Sequence, residues 1–259
     1  MSPTLPRISI VTPSFQQGAF IEQTILSILD QGYPNLEYLV IDGGSTDATI
    51  DILKRYEGRL TWVSERDRGQ SDAINKGLRL ATGDVVGYVN SDDLLLPGSL
   101  QAVGDYFMSH PSTEWVTGYC RNIDAQNRPI QSSVTAYKNF LLRHYQPGLF
   151  IGINFISQMS TFWRRRAMER IGYFNEDQHL VMDYDYWLRL AKIGRPGILR
   201  QELSAFRLHA DSKSTKRMIQ QFQQSAAVAV QSTRNPFLKA FSYVHHYAVI
   251  VAYRIFGLR

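Results

Sequence analysis

A single cysteine, Cys120, stands in 259 residues. No internal disulfide can form, so the fold must rest on its apolar core, and a reducing compartment is favoured. The chain has no Gly-x-x-x-x-Gly-Lys-Ser/Thr phosphate loop and no Gly-x-Gly-x-x-Gly fingerprint. It also has no Gly-x-Ser-x-Gly elbow and no His-Glu-x-x-His. Kinase, dehydrogenase, α/β-hydrolase and zinc-peptidase chemistry thereby lose their usual supports. A basic stripe, zinc-ligand spacing and a recognition-helix signature are missing, so nucleic acid is not an expected partner. The run before the first strand is too short for a secretory signal, which predicts a cytoplasmic protein. Phe237 to Phe256 approaches the length of a membrane span but carries Lys239, His245, His246 and Arg254, which argues against one.

What remains is ordinary for a folded soluble chain: 44% hydrophobic and 20% charged residues. The formal charge of +5 suits phosphate-bearing ligands or an anionic surface without deciding between them. The length fits one α/β domain with a helical extension.

The first half alternates strand and helix signals. Ile8–Thr12 reads as a strand ended by Pro13, and Ala19–Asp30 as a helix. Tyr38–Ile41 is the next strand, followed by a helix capped by Ser45 or Thr46. Leu60–Ser64 and Asp84–Val89 complete four strands, with a helix between them to Leu80 and another opened by Pro97. This order predicts an open, mainly parallel sheet with helices on both faces. In such sheets ligands lie beyond the C-terminal strand ends. Ser14 and Phe15, Asp42, Glu65 to Asp67, and Asp92 with Asp93 all fall there. Beyond Ser112 the alternation breaks. Glu114–Tyr119, Pro129–Thr135, Gln158–Trp163 and Leu203–Leu208 read as strands, and Tyr184–Ile193 as a helix. Without an internal repeat or long linker, this region belongs to the same domain.

Asp92-Asp93 at a strand end suits a hard divalent cation, which takes one or two carboxylates and fills its shell with water and phosphate oxygens. The same residues also suit a helix cap. Asp183, in Asp183-Tyr184-Asp185, is either a helix-dipole partner or a general base. His209 follows a strand and precedes a polar turn, within reach of a metal. Phe15 either stacks on a nucleobase or packs on the helix behind it.

Taken together, six segments resemble the family 2 glycosyltransferases, which have the GT-A fold. They are Ile8 to Phe15, Val40 to Asp47, Ser64 to Gly77, Asn90 to Asp93, Asp183 to Leu190, and Phe206 to His209. The likeness spans roughly residues 7–210, and six short motifs in order are far more specific than any one. It implies an inverting, metal-dependent transferase. A sugar would pass from a nucleotide-sugar donor (UDP-, GDP- or dTDP-linked) to the hydroxyl of a glycan or lipid-linked acceptor, in surface polysaccharide or related glycan assembly. Phe15 and Asp42 would hold the base and Asp67 would frame the nucleoside. Asp92 would meet the ribose or diphosphate, and Asp93, with His209 near, would bind Mg²⁺ or Mn²⁺. Asp183 would deprotonate the acceptor, with Asp185 a competitor. Two departures stand out: Ser91 holds a position where an acid is usual, and Met182 replaces a common Glu. A catalytically silent nucleotide-binding module and a sugar nucleotidyltransferase are the rival readings.

Residues 1–210 are expected to form the catalytic domain and 211–259 a helical extension, with helices at Ser214–Gln231 and 237–256. The second either packs on the domain or a second subunit, or lies in a membrane interface, peripheral at the inner face of the cell membrane.

Overall fold

The computed structural model describes residues 5–209 and 217–256, with 252–256 as backbone. Four parallel strands form its first half: β1 (Ile8–Ser14), β2 (Leu36–Asp42), β3 (Thr61–Ser64) and β4 (Val85–Tyr88), ordered β3-β2-β1-β4. Strand residues alternate between the two faces. Ile8, Ile10, Tyr38 and Val40 enter one core with helices α1 (Ile21–Leu29), α2 (Thr49–Arg55) and, further along, α4 (Ser99–Ser109). Val11, Leu39 and Ile41 enter the other, under α3 (Gln70–Leu80). Each fully buried aliphatic side chain contributes about 1.5–3 kcal/mol, so this alternation fixes the register of the whole half. The packing of α3 on β1 is close enough that a Cβ at Gly77 would sit 2.4 Å from the Val11 side chain.

Strand β1 runs through Pro13, although a stop was expected there. Strand β4 accompanies β1 only from Ile8 to Val11, where Val11 accepts from the Val89 N–H. Pro13 faces that same side one step later, so its missing N–H leaves no partner unsatisfied. The cap of α2 also differs from expectation. Neither Ser45 nor Thr46 caps it; Asp47 Oδ1 accepts from the Thr49 N–H at 3.0 Å, because Ser45 is engaged with Asp42.

The second half joins the same sheet in mixed sense. Strands β5 (Leu94–Leu95), β6 (Trp115–Ile123), β7 (Pro129–Ile130), β8 (Thr161–Arg164) and β9 (Gly197–Arg207) extend the order as β4-β8-β6-β9-β5, with β7 beside β6. The strand expected over Pro129–Thr135 is only its first two residues. Gln131 then adopts a left-handed conformation (φ 50°), its side chain accepting from Asn122, and turns the chain into α5 (Ser132–Arg143). Helix α6 (Pro147–Gly152) follows, then α7 (Arg165–Ile171) and α8 (Met182–Ile193). Beneath α8 lies an aromatic cluster: Phe174 stacks on Tyr186 at 4.0 Å, and Trp163 meets Trp187 edge-on at 5.4 Å.

Helices α9 (Met218–Ser232) and α10 (Pro236–Phe256) close the chain. Helix α9 packs on α6 and α8, and α10 on α6 and α9. The expected helix start at Ser214 and the expected boundary at 210–211 lie outside the described residues. No described helix is long and apolar enough to cross a membrane.

Candidate active site

The C-terminal ends of β1, β2 and β3 build a narrow slot. Phe15 projects beyond β1 and is 58% exposed, unusual for a large aromatic with a fold behind it. Gly43 lies between Phe15 and Asp67: a Cβ there would be 2.6 Å from Asp67 Oδ2 and 3.3 Å from the Phe15 ring. Only glycine leaves that gap open. Asp67 keeps its loop in place by accepting from the Gly69 N–H at 2.8 Å. Asp42 is wholly buried. Its carboxylate accepts from the Gly44 and Ser45 N–H groups, at 3.0 and 2.8 Å, and from the Ser45 and Ser64 hydroxyls. That nearly exhausts its acceptor capacity, so it shapes the slot from below.

The loop after β4 turns its two acids in opposite directions. Asp93 is fully buried. Its Oδ1 accepts from the Arg207 backbone N–H at 2.9 Å and its Oδ2 from the Asn90 amide at 3.0 Å. Burial, and then the charge of Asp92, push its pKa well above the usual carboxylate range. Asp92 is one-fifth exposed, and its Oδ2 lies 3.0 Å from His209 Nε2. The outward carboxylate is therefore Asp92, whereas the resemblance gave the metal to Asp93 with His209 near. His209 is steadied from behind by the Phe20 ring at 4.7 Å.

Arg207 joins this loop to the rest of the fold. The side chain is fully buried, and its guanidinium donates to the Asp92 carbonyl at 2.7 Å, to Asn127 Oδ1 and to Gln23 Oε1. One residue thus fixes Asp93 through its backbone and Asp92 through its side chain. The sequence alone assigned it no role of its own, although a charge flanked by Ala205, Phe206 and Leu208 is a visible signal that a partner must be buried with it.

Asp183 opens α8. Its Oδ1 accepts from the Tyr184 N–H at 2.8 Å, and burial raises its pKa, with that N–H and the Lys138 ammonium acting in the other direction. Gln70, at the start of α3, donates to Asn90 Oδ1 at 2.7 Å and ties that helix to the loop after β4. Ser71 donates to Met182 Sδ at 2.8 Å and fastens the start of α8 to the start of α3. Tyr184 donates to the Phe150 and Ile151 carbonyls, at 2.9 and 2.7 Å, and fastens it to α6. Asp185 is paired instead with Arg189, at 3.0–3.1 Å, whose guanidinium is held by the Ile171 and Tyr173 carbonyls. Asp185 thus has an arginine partner within its own helix, and Asp183 is bonded to the Tyr184 N–H. Lys138, on α5, was not foreseen. Burial lowers its pKa, and the charges of Cys120 and Asp183 oppose that effect.

Among the described residues no cluster of three or more His, Cys, Asp or Glu side chains suits a metal. Asp92 Oδ2 with His209 Nε2 is a two-donor set. It fits a six-coordinate Mg²⁺ or Mn²⁺ that takes its remaining ligands from phosphate and water.

A family profile described as "Glycosyl transferase family 2" matches residues 9–172. Chondroitin synthase of Escherichia coli is 26% identical over 250 residues, 92% of this chain. The chain spans about a third (34%) of that relative. Among solved structures, S. aureus TarS 1-349 in complex with UDP-GlcNAc aligns with a TM-score of 0.72 at 16% identity, over 93% of this chain and 73% of that one. Mannosyltransferase PcManGT from Pyrobaculum calidifontis, in complex with GDP-Man and Mn²⁺, aligns with a TM-score of 0.72 at 23% identity, over 94% and 70%. The fold is thus the GT-A architecture that the resemblance implied.

Proposed function

The chain belongs to glycosyl transferase family 2, and from that premise we propose that it moves a sugar from a nucleotide-sugar donor to an acceptor hydroxyl with inversion at the anomeric carbon. The observation that carries the reading is the gathering of three parts around the start of α3, where Gly69 donates to Asp67, Gln70 to Asn90 and Ser71 to Met182: the Phe15–Gly43–Asp67 slot, the Asp92–His209 pair and Asp183. The slot takes the base, with Phe15 stacked on it and Asp67 at its edge. Asp42 acts indirectly, by holding the Gly43–Ser45 turn. Asp92 and His209 would hold Mg²⁺ or Mn²⁺; Asp93 anchors their loop. When bound, the ion neutralises the departing diphosphate.

Asp183 is the general base. The acceptor oxygen forms its bond to the anomeric carbon as the bond to the diphosphate oxygen breaks, and the hydroxyl proton passes to the Asp183 carboxylate. No covalent intermediate on the protein is needed. A growing polysaccharide is the acceptor class, in line with the polymer named in the E. coli relative. Residues 1–210 are the catalytic unit and 211–259 an extension.

The test is a thermal-shift panel of UDP, GDP, dTDP, ADP and CDP, each with and without Mn²⁺, on wild type and Asp92→Asn. Ligand at a hundredfold excess over its Kd stabilises by about 2.7 kcal/mol, which is about 5–10 °C for a chain of this size. One diphosphate should raise the midpoint of wild type only with Mn²⁺, and the variant should lose that dependence. No shift with any diphosphate overturns the reading.

A further inference from the structure

Helix α10 is apolar on both sides. On the side turned to the protein, Ser242 is fully buried, His246 is 3% exposed, its Nδ1 2.8 Å from the Ser242 carbonyl, and Ile250 is buried one turn on. On the side turned to solvent stand Phe237, Tyr243, Val244 and Tyr247, exposed by 83, 57, 69 and 70%. A surface helix in water carries polar groups on that outer side. Four large apolar or aromatic groups on one short outer face gain nothing from water and suit a non-aqueous neighbour. The helix does not stand free of the fold. Phe241 lies so near Gly152 that a Cβ there would be 2.1 Å from its ring, and Leu238 packs on Gly148. One side is thus seated and the other presented.

The charge along the chain says what kind of neighbour. Residues 211–259 hold seven of the 28 Lys and Arg but only one of the 23 acids, Asp211, a net of +6 against +5 for the whole chain. The preceding 210 residues are therefore close to neutral. Neither α9 nor α10 contains a single acidic residue. A second copy of so cationic a segment is repelled at close range. An anionic lipid surface is attracted, each nearby cation contributing about 1 kcal/mol.

We propose that α10 is an interfacial helix whose outer face, from Phe237 through Val244 to Tyr247, inserts among the headgroups of an anionic phospholipid membrane, drawn there by the net positive charge of residues 211–259. The partner is the lipid surface itself. The helix lies along the surface and does not cross it, consistent with the absence of a spanning helix among the described residues. The proposal goes beyond the glycosyl-transfer reading and does not depend on it.

The experiment is co-sedimentation of the full chain with vesicles of phosphatidylcholine alone and of phosphatidylcholine with about equal phosphatidylglycerol. The chain should pellet with the second and scarcely with the first. Raising salt from about 0.1 to about 1 M, which cuts the screening length from about 10 to about 3 Å, should release much of it. The variant Phe237→Ser/Val244→Ser/Tyr247→Ser should bind at least about tenfold more weakly, since three inserted apolar groups are lost. These side chains are mostly exposed, so the variant should keep the wild-type circular dichroism. A second variant, Tyr247→Glu, tests the same face by charge. Equal binding by wild type and both variants overturns the proposal, as does no binding to phosphatidylglycerol vesicles. It is also overturned if the wild type is a dimer that the triple variant dissolves while neither pellets with lipid. No donor or turnover enters the measurement, so its failure and failure of the transferase reading are separate events.

Discussion

The two halves of the sheet hold their site residues by different means. In the parallel half the partners are near in sequence: Asp42 is held by Gly44, Ser45 and Ser64, and Asp67 by Gly69. In the mixed half they are far away: Arg207 reaches back to Asp92, Met182 to Ser71, and Tyr184 to Phe150. The Phe15–Gly43–Asp67 slot is therefore made by loops that organise themselves. Asp183 and the Asp92–His209 pair, the proposed base and metal ligands, are set only once the chain has closed on itself. Loss of a single contact should be local in the first half and shared in the second.

The largest expected effect lies with the base. Asp183→Asn should lower kcat by about 10²–10⁴, with nucleoside diphosphate affinity, measured by calorimetry, unchanged within about twofold. A parallel loss of nucleotide affinity would break the separation between the halves. Arg207→Met comes next. It removes the guanidinium from the Asp92 carbonyl, Gln23 and Asn127 and leaves Asp93 less well compensated. Breaking a buried charged network of this kind costs about 3–5 kcal/mol, so thermal melts should show a fall of roughly 6–20 °C. A fall below about 2 °C would show that the mixed half tolerates loss of its long-range ties.

The smallest effect is in pH dependence. Asp183 must be ionised to accept a proton, and burial raises its pKa, so activity is present above that raised value and lost as pH falls through it. The acid limb of kcat/KM should lie above the pH at which an ordinary aspartate titrates. Lys138 pulls the other way, and Lys138→Met should move the limb to still higher pH. A limb that stays in place would separate Lys138 from the base.

The parallel half was legible because its signals are periodic and local. Apolar runs of strand length marked β1 to β4, the first three ending in Ser14, Asp42 and Ser64. The opposite facing of Asp92 and Asp93 was not legible. Which of two adjacent acids turns inward is decided by Arg207, more than a hundred positions away. Helices α5 and α6 went unread for a related reason. The outer side of α5 carries Val134, Tyr137 and Phe140, each 45% or more exposed, so the usual contrast between a wet and a dry face is missing. Asp183 was read correctly as an acid at a helix start, but its distinction from Asp185 needed Arg189 and the carbonyls that hold it.

Helix α6, six residues long, takes the Tyr184 hydroxyl on two of its carbonyls and the Phe241 ring against its last glycine. The helix that opens with Asp183 and helix α10 thus share one mount. In the proposed reading, a change on the inner side of α10 would be felt at the base through α6, whereas a change on its outer side would alter only what that side meets.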